Sequence, residues 1–179
     1  LLDQKRIKDW HIAALADAGL LLSVEGQSSK SDVETTHEEG LVISSWKQDY
    51  TLLLHNLSPY PIEGLTVNTR YKLQRVSLSS AEKKPERKAP TEVNESFQVD
   101  LPVSDEAVRL TLPGITLRVM ELEPGWTWPD GGDAQITDNV SHLEVAASMG
   151  ETVILQQSIT PVAQAPKKDP KSPLANTPK

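Results

Sequence analysis

The sequence predicts a mainly β fold, an antiparallel sandwich preceded by one α-helix. Three observations carry that expectation. From Leu20 to Thr160 the apolar residues recur at two-residue rather than helical spacing. Turn signals fall about every 8–12 residues, as they do in sandwiches and barrels. No strand–helix alternation supports a parallel sheet. A barrel is the main alternative, and the sandwich is preferred because several connections are long and irregular, as crossovers between two sheets are.

The helix is expected over Leu1–Ala18, with Ile7, Trp10, His11, Ala14, Leu15 and Ala18 on one face and Gly19 as C-cap. Lys5, Arg6, Lys8 and Asp9 fall on the other face. It reads as a helix packed on the sandwich; the sharper alternative is the end of a longer helix that anchors or polymerises the protein. Leu20–Glu25 is the first strand. Hydrophobic signal then disappears over Gly26–Glu38, which reads as a polar connection. Leu41–Ser45 and Tyr50–Asn56 follow as strands. The cleanest strand is Leu65–Leu73, where Leu65, Val67, Thr69, Tyr71 and Leu73 share the face opposite Thr66, Asn68, Arg70 and Lys72. Charged, proline-bearing Ser79–Thr91 reads as a mobile loop unable to hold a ladder.

Strands resume at Glu95–Leu101, Ala107–Leu112 and Ile115–Leu122. Leu112-Pro113-Gly114 favours a type II turn, which suits two-residue hairpins poorly, so a kink within one long strand is preferred there. Pro124–Asp133 is a turn-rich loop carrying Trp126 and Trp128. Gln135–Val140 and a hairpin of His142–Ala147 and Thr152–Thr160 complete the set. After Pro161 a tail with Pro166, Pro170, Pro173 and Pro178 has little to bury and is expected to be extended or disordered. The chain thus divides into a helix (1–19), a sandwich (20–161) and a Pro/Lys-rich tail (162–179).

Composition narrows the classes of function. The net charge is −7 over 179 residues, and Lys167, Lys168, Lys171 and Lys179 lie in the tail, so the body is more acidic still. A nucleic-acid binder needs a basic surface to displace counterions, so nucleic acid is excluded as a partner. There are no cysteines, hence no disulfides or thiolate ligands. No stretch approaches the roughly 20 apolar residues that cross a bilayer. The first residue is Leu1 rather than Met, so the chain is expected to be processed or truncated, and membrane attachment would come only through a segment upstream of it.

The run from Tyr50 to Tyr71 (Tyr-Thr-Leu-Leu-Leu-His-Asn-Leu-Ser-Pro-Tyr-Pro-Ile-Glu-Gly-Leu-Thr-Val-Asn-Thr-Arg-Tyr) resembles the strand–turn–strand signature of immunoglobulin-like sandwiches in exported bacterial proteins. Asn56 and Ser58 stand in the turn, where their side chains can satisfy backbone groups. Leu65, Val67 and Tyr71 take the inward positions. Glu123-Pro124-Gly125 after a strand also suits such domains. A leading helix, a sandwich and a low-complexity tail together resemble pilin-like or pilus-associated surface proteins, although Leu1–Ala18 is charged and amphipathic where a pilin has an apolar segment. The resemblance implies an immunoglobulin-like fold, an extracytoplasmic setting at the cell surface or in the periplasm, and a structural role.

Candidate chemistry is sparse. Trp126 and Trp128 sit two apart, so an extended segment would point both indoles one way, to stack on a sugar or anchor a partner; packing onto the sandwich end is the competing expectation. Asp130-Gly-Gly-Asp133, with Asp138 nearby, offers oxygen ligands for calcium but lacks EF-hand spacing, and an ordinary turn is expected. His11, His37, His55 and His142 form no metal-binding spacing. There is no nucleophile elbow, no cysteine, no phosphate-binding glycine pattern, and no cofactor is expected. Asn56, Asn94 and Asn139 begin glycosylation sequons, at a frequency chance explains. The function expected is a non-enzymatic surface-assembly protein contacting other subunits, envelope proteins or copies of itself. The alternative is a carbohydrate- or protein-binding module built on Trp126 and Trp128.

Overall fold

A computed structural model describes residues 4–38, 40–78, 84–129, 131–160 and 162–163. Helix α1 spans Gln4–Asp17. It ends in a Schellman motif, with Leu20 N–H donating to Leu15 O (2.8 Å), Gly19 N–H to Ala16 O (3.0 Å), and Gly19 at φ +69°. The helix docks on the end of the sandwich, as expected, but through a rotated stripe. Ile12 is buried, Leu15 and Ala16 pack beside it, and His11 Nδ1 bonds the Tyr60 hydroxyl at 3.0 Å. Trp10, expected on the packed face, is 68% exposed. The helix is weakly amphipathic, so the surface it meets chooses the face.

Strands β1 (Leu22–Glu38) and β2 (Leu41–Asn56) form one long antiparallel ribbon, paired from Leu22–Asn56 to Glu38–Leu41 with one register shift between Ser31 and Glu34. This corrects the expectation that Gly26–Glu38 is a connection. Its outer part is exposed residue after residue, so burial imposes no alternation, and main-chain pairing with β2 alone keeps it extended. For the same reason Trp46–Asp49 does not interrupt β2.

Next come β3 (Ile62–Gln74), β4 (Val76–Leu78), β5 (Pro85–Arg87), β6 (Thr91–Leu101), β7 (Val108–Thr111) and β8 (Ile115–Leu122). β4 and β5 pair as a small ribbon, and β5 lies inside Ser79–Thr91, the stretch expected to hold no ladder. Proline is tolerated because Pro85 stands at the end of that ribbon, opposite Leu78. Residues 79–83 of the expected loop lie outside the described residues.

β7 and β8 both run antiparallel to β2, at Thr51–Leu54 and Leu41–Gln48, so Pro113-Gly114 is the expected kink in one long strand. Gly114 leaves room there for two side chains of β2: a Cβ would fall 2.3 Å from Lys47 Cε and 2.4 Å from Asp49 Oδ1, so both would have to shift. The chain closes with β9 (Gln135–Thr137), β10 (Asn139–Val140), β11 (Leu143–Met149), β12 (Thr152–Ile159) and β13 (Val162–Ala163). The remaining tail, residues 164–179, lies outside the described residues.

Two antiparallel sheets pack into the expected β-sandwich. One orders its strands β13-β1-β2-β8-β9, with β7 also on β2; the other runs β10-β3-β11-β12, with β6 on the far edge of β3. Leu52 and Leu54 of the first meet Leu65, Val67 and Val145 of the second, all essentially water-free. A second, smaller core of Leu41, Val76, Met120 and Trp128 lies on the opposite face of the first sheet, under the β4–β5 ribbon.

Two polar knots fix the ends. At the β2–β3 turn, Asn56 Oδ1 accepts from Ser58 N (2.9 Å) and Ser58 Oγ (2.8 Å), while Asn56 Nδ2 donates to Tyr60 O at 2.7 Å and Leu101 O at 3.3 Å. The turn residues thus satisfy backbone groups, as their chemistry predicts, and also tether the end of β6. At the opposite corner the chain passes from β9 in one sheet to β10 in the other through Asp138. Its wholly buried carboxylate accepts from Val76 N (2.6 Å), Arg118 N (3.1 Å) and Arg75 Nη1 (3.3 Å).

Candidate interaction surfaces

The tryptophan loop does not present two parallel indoles. Trp128 is only 7% exposed, fills the smaller core, and donates from Nε1 to Asp133 O at 2.8 Å. Trp126 remains 52% exposed, with one face lying on the β1–β2 turn, where a Cβ on Gly40 would come within 2.4 Å of the indole. Glu123 N–H bonds Gly40 O at 3.0 Å, and His37 Nδ1 lies 3.3 Å from Glu123 Oε1. The loop clamps the ribbon tip. Two-residue spacing aligns side chains only on a regular strand, and this segment turns at Trp126 and again at Gly131.

The acids and histidines do not converge. Asp138 spends its carboxylate on the sandwich corner, Asp133 is exposed, and Asp130 lies outside the described residues. His142 Nδ1 bonds Thr160 Oγ1 at 3.1 Å and His11 bonds Tyr60. Among the described residues no three His, Asp or Glu side chains are grouped to hold a metal ion.

Sequence reasoning passed over two features. The first is the outer edge of β6, which starts four residues earlier than expected. Val93, Phe97 and Val99 face the core but stay only half-buried, alternating with exposed Glu92, Asn94, Ser96, Gln98 and Asp100. β6 pairs with β3 alone among the described residues, so one whole side of an eleven-residue strand carries unpaired main-chain groups. Its two-residue alternation was the available signal, but sequence does not say which strand ends a sheet.

The second is a cleft of about 480 Å³ where the two sheets part. Gln48 and Tyr50 from β2 and Tyr71 from β3 line it, facing Ser141, His142 and Leu143. The tyrosine ring centroids lie 6.4 Å apart, tilted 48°. Burial pushes the Tyr50 phenol above its ordinary value; burial first, then the Glu95 carboxylate, does the same for Tyr71. These residues come from strands far apart in sequence, so no local motif announces them.

No family model and no curated protein matches the chain. Among solved structures, the X-ray structure of Northeast Structural Genomics Consortium target SoR45 aligns with 91% of this chain and 98% of its own, at 12% identity and a TM-score of 0.37. At that score the likeness decides nothing about fold or function.

Proposed function

We propose that the domain is a non-enzymatic assembly module of the bacterial cell surface, pilus-associated in setting, which joins a partner through the open edge of β6. The observation that carries this reading is the edge itself: eleven residues, no proline, and a half-buried apolar stripe that a neighbouring strand would finish covering. Strand addition supplies affinity through main-chain bonds and specificity through alternate side chains. The protein already pairs a short late segment in this way at its other edge, where β13 lies parallel to β1 at Gln27 and Ser28. The surface setting rests on the resemblance of Tyr50–Tyr71 to sandwiches of exported proteins.

Charge chooses the partner. Glu92 and Asp100 point outward from β6, Glu95 points inward, and the chain carries −7. Antiparallel self-pairing centred on Ser96 would set Glu92 against Asp100, and centred on Glu95 would set that acid against its own copy. Like charges directly opposite are destabilising. A register centred on Phe97 avoids both clashes but faces Glu95 with Val99 and brings two acidic bodies together. A strand of another envelope protein with lysine or arginine at alternate positions fits better than a second copy.

The test is a photo-crosslinking residue in place of Asn94 on β6, with the same residue in place of Thr36 on β1 as control, in cells fractionated into sheared surface filaments, envelope and cytoplasm. A crosslink to one protein from position 94 only, in surface or envelope material, is expected. A soluble monomeric pool with no crosslink from position 94 would remove the assembly role.

A further inference from the structure

The inter-sheet cleft is built for an uncharged ligand rich in hydroxyls, and we infer that it binds a neutral oligosaccharide. The first reason is what lines it. Aspartate, glutamate, lysine and arginine make up 24% of the chain, yet none of the ten residues lining this cleft is one of them. A phosphate, a uronate or an ammonium ligand would find no carboxylate, lysine or arginine to pair with, and no charge beyond what the His142 imidazole can carry, so the lining favours a neutral ligand.

The second reason is the division of the lining into two kinds of surface. Tyr50, Tyr71, Val140 and Leu143 supply an apolar wall, in which the Tyr50 ring is half-buried and open to a ligand while Tyr71, 5% exposed, backs it from the core. Ser28, Gln48, Asn139, Ser141, His142 and Thr160 supply amides, hydroxyls and one imidazole. A sugar ring has the matching division, with C–H faces that lie on aromatic rings and an equatorial rim of hydroxyls that takes bidentate amides. Few other neutral ligands need both at once. A volume of about 480 Å³ is within the ordinary range for small-ligand sites.

The third reason is that the polar groups are already held in place. Gln48 Nε2 donates to Ser29 O at 3.0 Å, which fixes its amide plane, and its Oε1 accepts from Trp46 Nε1 at 3.3 Å. Ser141 Oγ accepts from Lys72 N at 2.7 Å and donates to His142 O at 3.1 Å. The imidazole of His142 is tied to Thr160. Groups ordered before binding lose little entropy when a ligand arrives. Trp46 shares the Gln48–Tyr50 face of β2, about 13 Å from Tyr50 along an extended strand. Its ring is covered by Lys30 Nζ, 3.9 Å from the centroid. An exposed lysine moves aside readily, so the binding face extends along β2 for a chain of sugars rather than ending at one.

The experiment is saturation-transfer difference NMR on the whole chain with cellohexaose, maltohexaose and chitohexaose as neutral probes, and with oligogalacturonate as an anionic one. At least one neutral probe should show saturation transfer while the anionic one does not. Its titration should weaken at least tenfold in Gln48→Ala and in Asn139→Ala, both of which keep the far-ultraviolet circular dichroism of the parent. Tyr50→Phe keeps the ring and should retain binding within about threefold, whereas Tyr50→Leu should lose it. Three outcomes overturn the inference: no transfer from any neutral probe at millimolar concentration, equal binding of the anionic probe, or binding lost in Trp126→Ala and unchanged in Gln48→Ala.

Discussion

The two sheets leave their outer strands in opposite conditions. β1 is long, hydrophilic and interrupted: its pairing slips between Ser31 and Glu34, Asp32 there adopts φ +49°, and β13 covers it at Gln27 and Ser28. Gln157 also reaches across from β12 to bond Val24 O at 2.8 Å. β6 has an unbroken register with β3 from Leu65–Val99 to Leu73–Thr91, and nothing pairs with its outer side among the described residues. Bulges, charges and covering segments are the usual means of stopping an edge from recruiting another chain. One edge has all three. The other has charge, chiefly Glu95 set into its apolar stripe, and a single register shift at its very end, between Ile62 and Leu65 of β3. A protein that protects one edge so thoroughly and leaves the other in order treats them differently, and that asymmetry points to β6 as the interface.

The largest effect is expected at the corner where the two sheets join. Asp138 joins the sheets, and Asp138→Ala removes the acceptor for two backbone N–H groups and an arginine. A loss of about 3 kcal/mol in chemical denaturation is expected, since each stranded buried donor costs about 1–3 kcal/mol. Amide exchange should rise along β1 and β6 together; a rise confined to β9 and β10 would mean that the edges report on separate units.

Gly40→Ala attacks the β1 side alone. Its φ of +75° and the indole of Trp126 leave no space for a Cβ, and a loss of about 2 kcal/mol with increased Trp126 solvent quenching is expected. Unchanged exchange at β6 would confirm that the tip clamp is local.

On the β6 side, Glu92→Lys combined with Asp100→Lys should weaken capture of the crosslinked partner about tenfold, roughly 1.4 kcal/mol, and reduce its sensitivity to salt. Glu34→Lys on β1 should leave capture unchanged. Equal losses from both edges would erase the distinction drawn between them.

A smaller effect should come from Asp32→Gly, which relieves a left-handed backbone at the β1 bulge and is expected to stabilise by about 1 kcal/mol in thermal melts. A loss instead would show that the Asp32 side chain, whose Oδ2 accepts from Ser31 Oγ at 3.4 Å, holds the bulge.

The smallest change concerns Tyr71, whose phenol is held above its ordinary value by burial and then by Glu95 on β6. A raised phenol pKa means the neutral form is favoured in the fold. The associated stability is therefore present below the unfolded value of about 10 and lost as pH rises through the folded value. Glu95→Gln should move the Tyr71 step downward in an absorbance titration at 295 nm, whereas Glu34→Gln should not move it.

Where burial wrote a pattern, the sequence was legible. Leu65–Leu73 alternates because one of its faces meets Leu52 and Leu54, and its predicted inward residues are the buried ones. The Asn56–Ser58 turn and the Pro113-Gly114 kink were also readable, because side-chain chemistry and backbone restriction act within a few residues. The outer half of β1 was not readable, for want of any dry face to enforce alternation. Nor was the fate of the two tryptophans. Trp126 and Trp128 are two apart in a turning loop, and only contact with Gly40 on one side and Met120 on the other sends one to the surface and one inside.

The sequence by itself determined the β class, the position of the helix and most strand cores, because apolar periodicity and turn chemistry are local properties. The tertiary structure alone decided which strands stand at the edges, where the chain changes sheets, and that Gln48, Tyr50, Tyr71 and His142 share a cleft. Those depend on pairing between residues far apart in the chain, and main-chain hydrogen bonds, which every residue but proline offers alike, leave no mark of their partner in the sequence.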